Sequence, residues 1–121
     1  SDWDEDSLMG DMTAGMDVFE QGDNVIVKLN APGFKKDQLD ISVEAGKITI
    51  VGKAQEQTEE EDKSRKYYRK EISTRSFTRS CDLPFDVVPG KAEAKYEDGV
   101  LTVTLPKSEN AKPTKIKLNV D

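Results

Sequence analysis

The chain has no histidine and only one cysteine, Cys81, among its 121 residues. Histidine is the commonest general base and the commonest transition-metal ligand, so its absence argues against a catalytic triad or a zinc site. A lone cysteine excludes an internal disulfide and indicates a reducing compartment, which predicts a cytoplasmic location. We therefore expect no catalytic residue, no metal site and no cofactor, and a protein that is not an enzyme.

The sequence also lacks a basic excess and a long apolar run. The formal net charge is -6, and the lysines and arginines are spread along the chain, which argues against nucleic acid as a partner. No apolar stretch is long enough to cross a membrane and no signal-peptide pattern opens the chain, so we predict that no membrane is required. Apolar and charged residues each make up 35% of the chain, which predicts one domain with a modest core.

Short segments of alternating apolar and polar residues follow one another, separated by turn residues. Asn24 to Asn30 and Leu39 to Glu44 alternate cleanly, and Ala45-Gly46 predicts a tight hairpin into Lys47 to Gly52. Ala31-Pro32-Gly33 breaks the first of these strands, since proline cannot continue a ladder. Short strands with almost no helix predict an antiparallel β-sandwich.

The middle of the chain is charged. Lys53 to Ser64 has no large apolar residue and predicts a long solvated loop, and its acidic run Glu59 to Asp62 lacks the spacing of a calcium loop. Lys66 to Ile72 then has β-favouring aromatics with charges on both faces. Such a strand could lie at an edge of its own sheet, or reach across to a neighbour's edge, which the length of the loop favours.

Two residues of the next strand, Ser76 to Leu83, have alternative interpretations. Arg79 interrupts an apolar stripe formed by Phe77, Cys81 and Leu83. It could snorkel at the rim of the sheet or form an ion pair at an interface. Cys81 is better explained as a small buried apolar residue than as a redox sensor.

The C-terminal end has an apolar pair with no local partner. Val100 to Leu105 alternates as a strand that Pro106 ends, and Lys107 to Lys115 is a polar run containing Pro113. Beyond it lie Ile116 and Leu118, two residues apart. This tip must dock on its own domain or on another copy, and the polar spacer favours another copy.

Taken in order, these segments resemble the α-crystallin domain of small heat shock proteins of the bacterial, archaeal or plant type. The residues that carry the resemblance are Ala31-Pro32-Gly33-Phe34, Leu39-x-Ile41-x-Val43, Ile48-x-Ile50-x-Gly52, Phe77-x-Arg79, Leu83-Pro84, Ala94-x-Tyr96-x-Asp98-Gly99-Val100-Leu101, Leu105-Pro106-Lys107 and Ile116-Lys117-Leu118. The resemblance spans about Met16 to Leu118, nearly the whole chain.

The resemblance implies an all-β, immunoglobulin-like sandwich with flexible N- and C-terminal extensions. The domain would cover 16–106, with a loop at 53–65 and an exchanged strand at about 66–72, and 107–121 would be the C-terminal extension. Residues 1–15 would be the remnant of an N-terminal arm, whose few large apolar residues are Trp3, Leu8, Met9 and Met12. Because the chain opens on Ser1 rather than Met, we expect that part of this arm is missing.

The resemblance also implies a function and its partners. The protein would be an ATP-independent holdase that binds unfolding client proteins, prevents their aggregation and passes them to ATP-dependent chaperones. It would assemble with itself, first into dimers by exchange of a strand and then into larger oligomers by docking of the tail. The alternative is a monomeric co-chaperone-type sandwich that acts as an adaptor for a single protein partner.

Each assembly step has its own set of residues. Ile116 and Leu118 would dock into a groove between two edge strands of another dimer, for which alternation nominates Leu39, Ile41, Val43, Ala92, Ala94 and Tyr96. Arg79 would form an ion pair at the dimer interface. The strand exchanged between subunits would consist of Lys66, Tyr67, Tyr68, Arg69, Lys70, Glu71 and Ile72.

Overall fold

Residues 15–119 are described by a computed structural model, in which they form seven β-strands and three short 3-10 turns. The strands are β1 (Met16–Gln21), β2 (Asn24–Asn30), β3 (Leu39–Glu44), β4 (Lys47–Asp62), β5 (Tyr67–Asp82), β6 (Glu93–Glu97) and β7 (Val100–Pro106). The 3-10 turns span Lys36–Gln38, Pro89–Lys91 and Glu109–Ala111. Within this part of the chain no helix is long and apolar enough to cross a membrane.

The strands form two antiparallel sheets packed face to face. One sheet has the order β1-β2-β7-β6 and the other has the order β3-β4-β5. The predicted antiparallel β-sandwich is therefore confirmed. Its core is built from alternate residues of the central strands, such as Val27, Ile50 and Val103, whose side chains are buried. This is the pattern expected when one face of each strand lies in the core.

The segment Ala31 to Phe34 carries the chain from one sheet to the other. The Ala31 amide donates a hydrogen bond to the Gly99 carbonyl at 2.8 Å, and the Tyr96 hydroxyl donates to the Ala31 carbonyl. Gly33 has a φ of +84°, a conformation that favours glycine. Arg75 donates to the Gly33 carbonyl at 2.6 Å. The segment is thus fixed by contacts to both sheets.

Gly52 makes room for an aromatic ring on the neighbouring strand. Gly52 and Phe77 lie opposite each other in the β4–β5 register, and a Cβ atom added at Gly52 would lie 2.3 Å from the ring of Phe77. The same ring meets Phe34 edge-on, with centroids 5.1 Å apart. Phe77 therefore has no room to move away without breaking this contact.

Replacing Gly52 by alanine is expected to lower the free energy of unfolding by about 1–3 kcal/mol, the usual cost of overpacking. Chemical denaturation followed by circular dichroism measures this change. Gly90→Ala is the matched control, because a Cβ atom at Gly90 meets nothing within 4 Å. Equal stability of the two variants would contradict the close packing of Phe77 on Gly52.

The middle of the chain differs from the prediction. The loop predicted at 53–65 is wrong for most of its length, because β4 continues to Asp62 and the turn covers only Lys63 to Lys66. The strand predicted at 66–72 starts at Tyr67 and is continuous with the strand predicted from Ser76, so that both belong to β5. The register explains this result. It places Glu59 opposite Lys70 and Glu60 opposite Arg69, and such opposite-charge pairs stabilise a two-stranded ribbon.

Candidate functional site

The free edges of β3 and β6 lie at the same side of the sandwich and leave a groove between the two sheets. Side chains at alternate positions of both strands face this gap, because the sheets that carry β3 and β6 have no further strand to cover them there. The residues predicted to line a groove do lie along it: Leu39, Ile41, Val43, Ala92, Ala94 and Tyr96. Their role in docking stays a prediction.

The groove contains two hollows in series. The first has a volume of about 270 Å³ and lies at the Leu39 and Tyr96 end. The second has a volume of about 250 Å³ and lies at the Val43 and Ala92 end. Ile41 and Ala94 line both hollows, so the two are adjacent. Two neighbouring hollows can receive two side chains of one extended segment, since residues i and i+2 of a strand point the same way.

Charged residues lie along the rim of this groove, and the prediction did not include them. Lys36 lies at the Leu39 end, and Glu93 lies at the Val43 end. Lys95 and Glu97 also lie at the Leu39 end and form an ion pair at 3.4 Å. No local sequence signal identifies these residues, because their position depends on which edge strand of the other sheet lies across from β6.

The chain leaves the sandwich through a well-anchored segment. The Lys107 amide donates to the Asp23 carbonyl at 2.8 Å, and the Ser108 amide donates to the Asp86 carbonyl at 2.8 Å. The Lys107 side chain is only 4% exposed, pairs with the Glu20 carboxylate and lies 4.1 Å from the centroid of the Phe85 ring. A buried ammonium needs such partners, and they attach the base of the tail to β1.

A 3-10 turn, Glu109–Ala111, extends this anchored base. The Lys112 ammonium donates a hydrogen bond to the Glu109 carboxylate at 2.9 Å, which lowers the pKa of Glu109 and raises that of Lys112. The polar run predicted as a tether, Lys107 to Lys115, is therefore not free along its whole length. The extended part starts near Lys112 and spans at most about 14 Å before Ile116.

The apolar pair at the end of the tail is the most exposed in the described part of the chain. Ile116 is 89% exposed and Leu118 is 87% exposed. Neither residue lies in a strand or a turn. An extended segment places both side chains on one side, with Lys117 on the other.

The distal halves of β4 and β5 form a ribbon that projects from the sandwich. We call this the ribbon; it covers Gln55 to Thr74, and nearly all of its side chains are exposed. Tyr68 is 62% exposed and Ile72 is 56% exposed. Within the chain, the strand predicted to be exchanged pairs with its own β4, Tyr67 opposite Asp62 and Ile72 opposite Gln57, and Lys66 belongs to the turn. Exchange between subunits stays a prediction.

Two further predicted residues lie on the inner face of β5, close to its free edge. Arg79 is partly buried, lies 5.3 Å from the centroid of the Phe77 ring and donates to the Thr78 carbonyl at 3.1 Å. An ion pair of Arg79 at a dimer interface stays a prediction. Burial raises the pKa of the Cys81 thiol, and the nearby Asp82 carboxylate adds to this shift. The thiol is thus held in its less reactive, protonated form.

Between residues 15 and 119, no group of three carboxylates or thiols is placed to hold a metal ion. The predicted remnant of the N-terminal arm, with Trp3, Leu8, Met9 and Met12, lies outside the described residues except for Gly15. What the geometry offers is a groove between two free edges, a projecting ribbon and an exposed apolar pair.

Comparisons with known proteins match this chain to one family. Residues 17–121 match the model of the Hsp20/alpha crystallin family. The chain is 33% identical over 103 residues to small heat shock protein C4 of Rickettsia felis, covering 85% of this chain and 62% of that protein. It is 38% identical over 100 residues to the 16.9 kDa class I heat shock protein 1 of Triticum aestivum, covering 83% of this chain and 66% of the relative. The chain thus spans about two thirds or slightly less of these relatives.

A solved structure shares the fold. Heat shock protein 16.0 from Schizosaccharomyces pombe superposes with a TM-score of 0.59 at 30% identity, covering 88% of this chain and 96% of that one. A small heat-shock protein from Xylella fastidiosa, described as having a distinct high order structure, superposes with a TM-score of 0.55 at 22% identity, which shows the fold alone.

Proposed function

Because the chain belongs to the Hsp20/alpha crystallin family, we propose that it is an ATP-independent chaperone that binds unfolding proteins and keeps them from aggregating. It works by assembling with itself through weak contacts that open under stress. The observation that carries this proposal is an exposed apolar pair, Ile116 and Leu118, together with two adjacent hollows whose shared lining includes Ile41 and Ala94.

Tail docking is weak for a single contact. Burying one isoleucine and one leucine stabilises by about 3–6 kcal/mol before costs. Ordering the tail offsets part of this gain, because each fixed residue loses conformational freedom. A net gain below about 6 kcal/mol corresponds to a dissociation constant of tens of micromolar or weaker. Many copies linked in one assembly raise the overall strength by avidity, so the assembly is stable yet can release single tails.

Dimers form through the ribbon. An isolated two-stranded ribbon is marginally stable in water and gains from a third strand. The outer edge of β1 offers one, because β1 is the last strand of its sheet. β1 carries Asp17, whereas the β5 half of the ribbon carries Lys70. Opposite charges favour pairing of this strand with β1 of a second copy, in agreement with the strand exchange implied by the family.

Release of the tails from the grooves makes client binding possible. When tails leave their grooves, the apolar floor around Ile41 and Ala94 becomes accessible to exposed segments of unfolding proteins. Held clients are then refolded by ATP-dependent chaperones. The groove needs no nucleotide and no metal for this role.

Heating a labile enzyme with and without the natural full-length protein tests the proposal. We expect the protein to reduce light scattering from the aggregating enzyme in the absence of ATP, and an inert protein of equal concentration to have no effect. Scattering that rises equally in both samples would contradict the chaperone function. A monomeric mass at all concentrations, together with tight binding of one folded partner, would favour the adaptor alternative.

A further inference from the structure

The ribbon joins the sandwich at one pair of residues. Ala54 and Arg75 lie opposite each other in the β4–β5 register, directly inside the ribbon. Ala54 is the last buried residue of β4, at 5% exposed, and every residue from Gln55 to Glu61 is exposed. Within residues 15–119, the side-chain hydrogen bonds and ion pairs of the ribbon join ribbon residues to one another. The direction of the ribbon is therefore set at its root, the Ala54–Arg75 pair.

Arg75 attaches this root to the segment Ala31 to Phe34, which crosses between the sheets. Its Nη2 atom donates a hydrogen bond to the Gly33 carbonyl at 2.6 Å. Its guanidinium carbon lies 4.9 Å from the centroid of the Phe34 ring, within the range of a cation–π contact. The Phe34 ring in turn meets Phe77 edge-on. One side chain of the root thus makes two contacts with a segment that is itself fixed to both sheets.

The chain makes room for the guanidinium at Gly33. A Cβ atom added at Gly33 would lie 3.0 Å from Nη1 of Arg75, closer than side chains normally approach. Alternation along β5 also directs the arginine toward this segment, because Arg75, Phe77 and Arg79 are two residues apart and share the inner face of the strand. The preceding residue, Thr74, faces the other way.

We propose that Arg75 is a positioning residue that fixes the direction in which the ribbon projects. A two-stranded ribbon twists more than a wider sheet and has no third strand to support it. The two contacts of Arg75 restrain its motion at the root and hold the strand Tyr67 to Ile72 in one place relative to the sandwich. The inference rests on the proposed dimer for its consequence alone: a ribbon held in place before binding loses less conformational freedom when it meets a second copy.

Distances between two spin labels measure the direction of the ribbon. One label is attached at the turn of the ribbon through Lys63→Cys and the other on β2 through Lys28→Cys, in a chain with Cys81→Ala. Both lysines are exposed, and within the described residues neither takes part in an ion pair. Labelled chains are diluted with a large excess of unlabelled chains before assembly, so that each distance lies within one chain. Pulsed electron paramagnetic resonance gives the distribution of distances.

Arg75→Ala should broaden the distribution of distances, whereas the matched control Thr74→Ala should leave it unchanged. Arg75→Lys keeps the positive charge but lacks the planar fork of the guanidinium. A lysine therefore cannot bond to the Gly33 carbonyl and stack on Phe34 at once, and we expect a distribution of intermediate width.

The dimer should weaken when the ribbon loses its direction. Sedimentation equilibrium measures its dissociation constant in chains that also carry Ile116→Ala and Leu118→Ala, which limits larger assemblies. Arg75→Ala should raise the dissociation constant about two- to fivefold, the range expected for loss of a cation–π contact at an exposed site. Thr74→Ala should not change it.

An unchanged distribution in a folded Arg75→Ala variant would overturn the proposal even if the variant is less stable, because a purely structural contact changes the free energy of unfolding without moving the ribbon. A broader distribution with an unchanged dissociation constant would overturn the positioning role in dimer formation. If the unsubstituted chain forms no dimer, the proposed dimer is wrong, and the distributions still decide whether Arg75 directs the ribbon. Circular dichroism verifies that each variant is folded.

Discussion

Replacing Ile116 and Leu118 together by alanine is expected to reduce large assemblies to dimers while the sandwich stays folded. Both side chains are almost fully exposed in the single chain, so their loss removes nothing from the core. Their loss does remove most of the apolar area that docking would bury, about 2 kcal/mol or more at each contact. Multi-angle light scattering should give the mass of two 13.5 kDa chains, and circular dichroism should be unchanged.

Lys117→Ala is the matched control for this prediction. Lys117 lies between the two apolar residues and is also exposed, but its side chain points away from the groove floor when they enter it. This variant should keep most of its assembly at physiological salt. An unchanged mass of the double alanine variant would contradict the docking role of the tail.

Replacing 57–72 by Asn-Gly is expected to convert the dimer to a folded monomer. Glu56 and Ser73 lie opposite each other at a hydrogen-bonded position of the ladder, so a two-residue Asn-Gly turn joins them without changing the register of β4 and β5. The residues removed are almost all exposed, so the core keeps its residues. The variant loses the strand Tyr67 to Ile72 and with it the proposed pairing with β1 of a second copy. Sedimentation equilibrium measures the change in mass.

A shorter replacement provides the control. Asp62 and Tyr67 are opposite each other, so replacing 63–66 by Asn-Gly shortens only the turn and keeps the whole ribbon. This variant should stay dimeric. Dimers that survive removal of the ribbon would show that the subunits pair through another surface, and the proposed role of the ribbon would be wrong.

The sandwich could be predicted because the sequence patterns that indicate its strands and turns are local. Alternation placed Val25, Val27 and Leu29 on one face of a strand and Ile48 and Ile50 on one face of another, and all five side chains are buried. The short spacing of strands and turns then favoured two antiparallel sheets. The family resemblance, built on the order of these same segments, is confirmed by the match over 17–121.

The ribbon could not be predicted in the same way. Its strands lack an apolar face, so Lys53 to Ser64 has the composition of a solvated loop. The ribbon is stabilised by cross-strand pairs such as Glu59 with Lys70. Which residues pair depends on the register of the two strands, and that register is set many residues away, in the sandwich. The composition of one segment indicates how much apolar surface it can bury. It does not indicate which other segment it pairs with, because pairing depends on the residues of both strands.

The base of the tail was missed for a related reason. Lysine is rarely fully buried, so Lys107 in a polar run predicts a solvated tether. Its burial depends on Glu20 and Phe85, which come from distant parts of the sequence. Alternation nominated residues that lie along the groove, but the charged residues at its rim, such as Lys36 and Glu93, could be placed only once β3 and β6 were known to lie at the same side of the sandwich.

The central claim is that the tail of one copy docks in the groove of another, and a mixing experiment tests it most directly. One variant carries Ala94→Arg, which places a bulky charged side chain where the two hollows meet and leaves the tail intact, since Ala94 is exposed and lines each of them. The other carries Ile116→Ala and Leu118→Ala, which leaves the groove open. Multi-angle light scattering should give dimers for each variant alone and larger assemblies for the mixture. A mixture that stays at the mass of dimers, or an Ala94→Arg variant that assembles fully by itself, would contradict docking between copies.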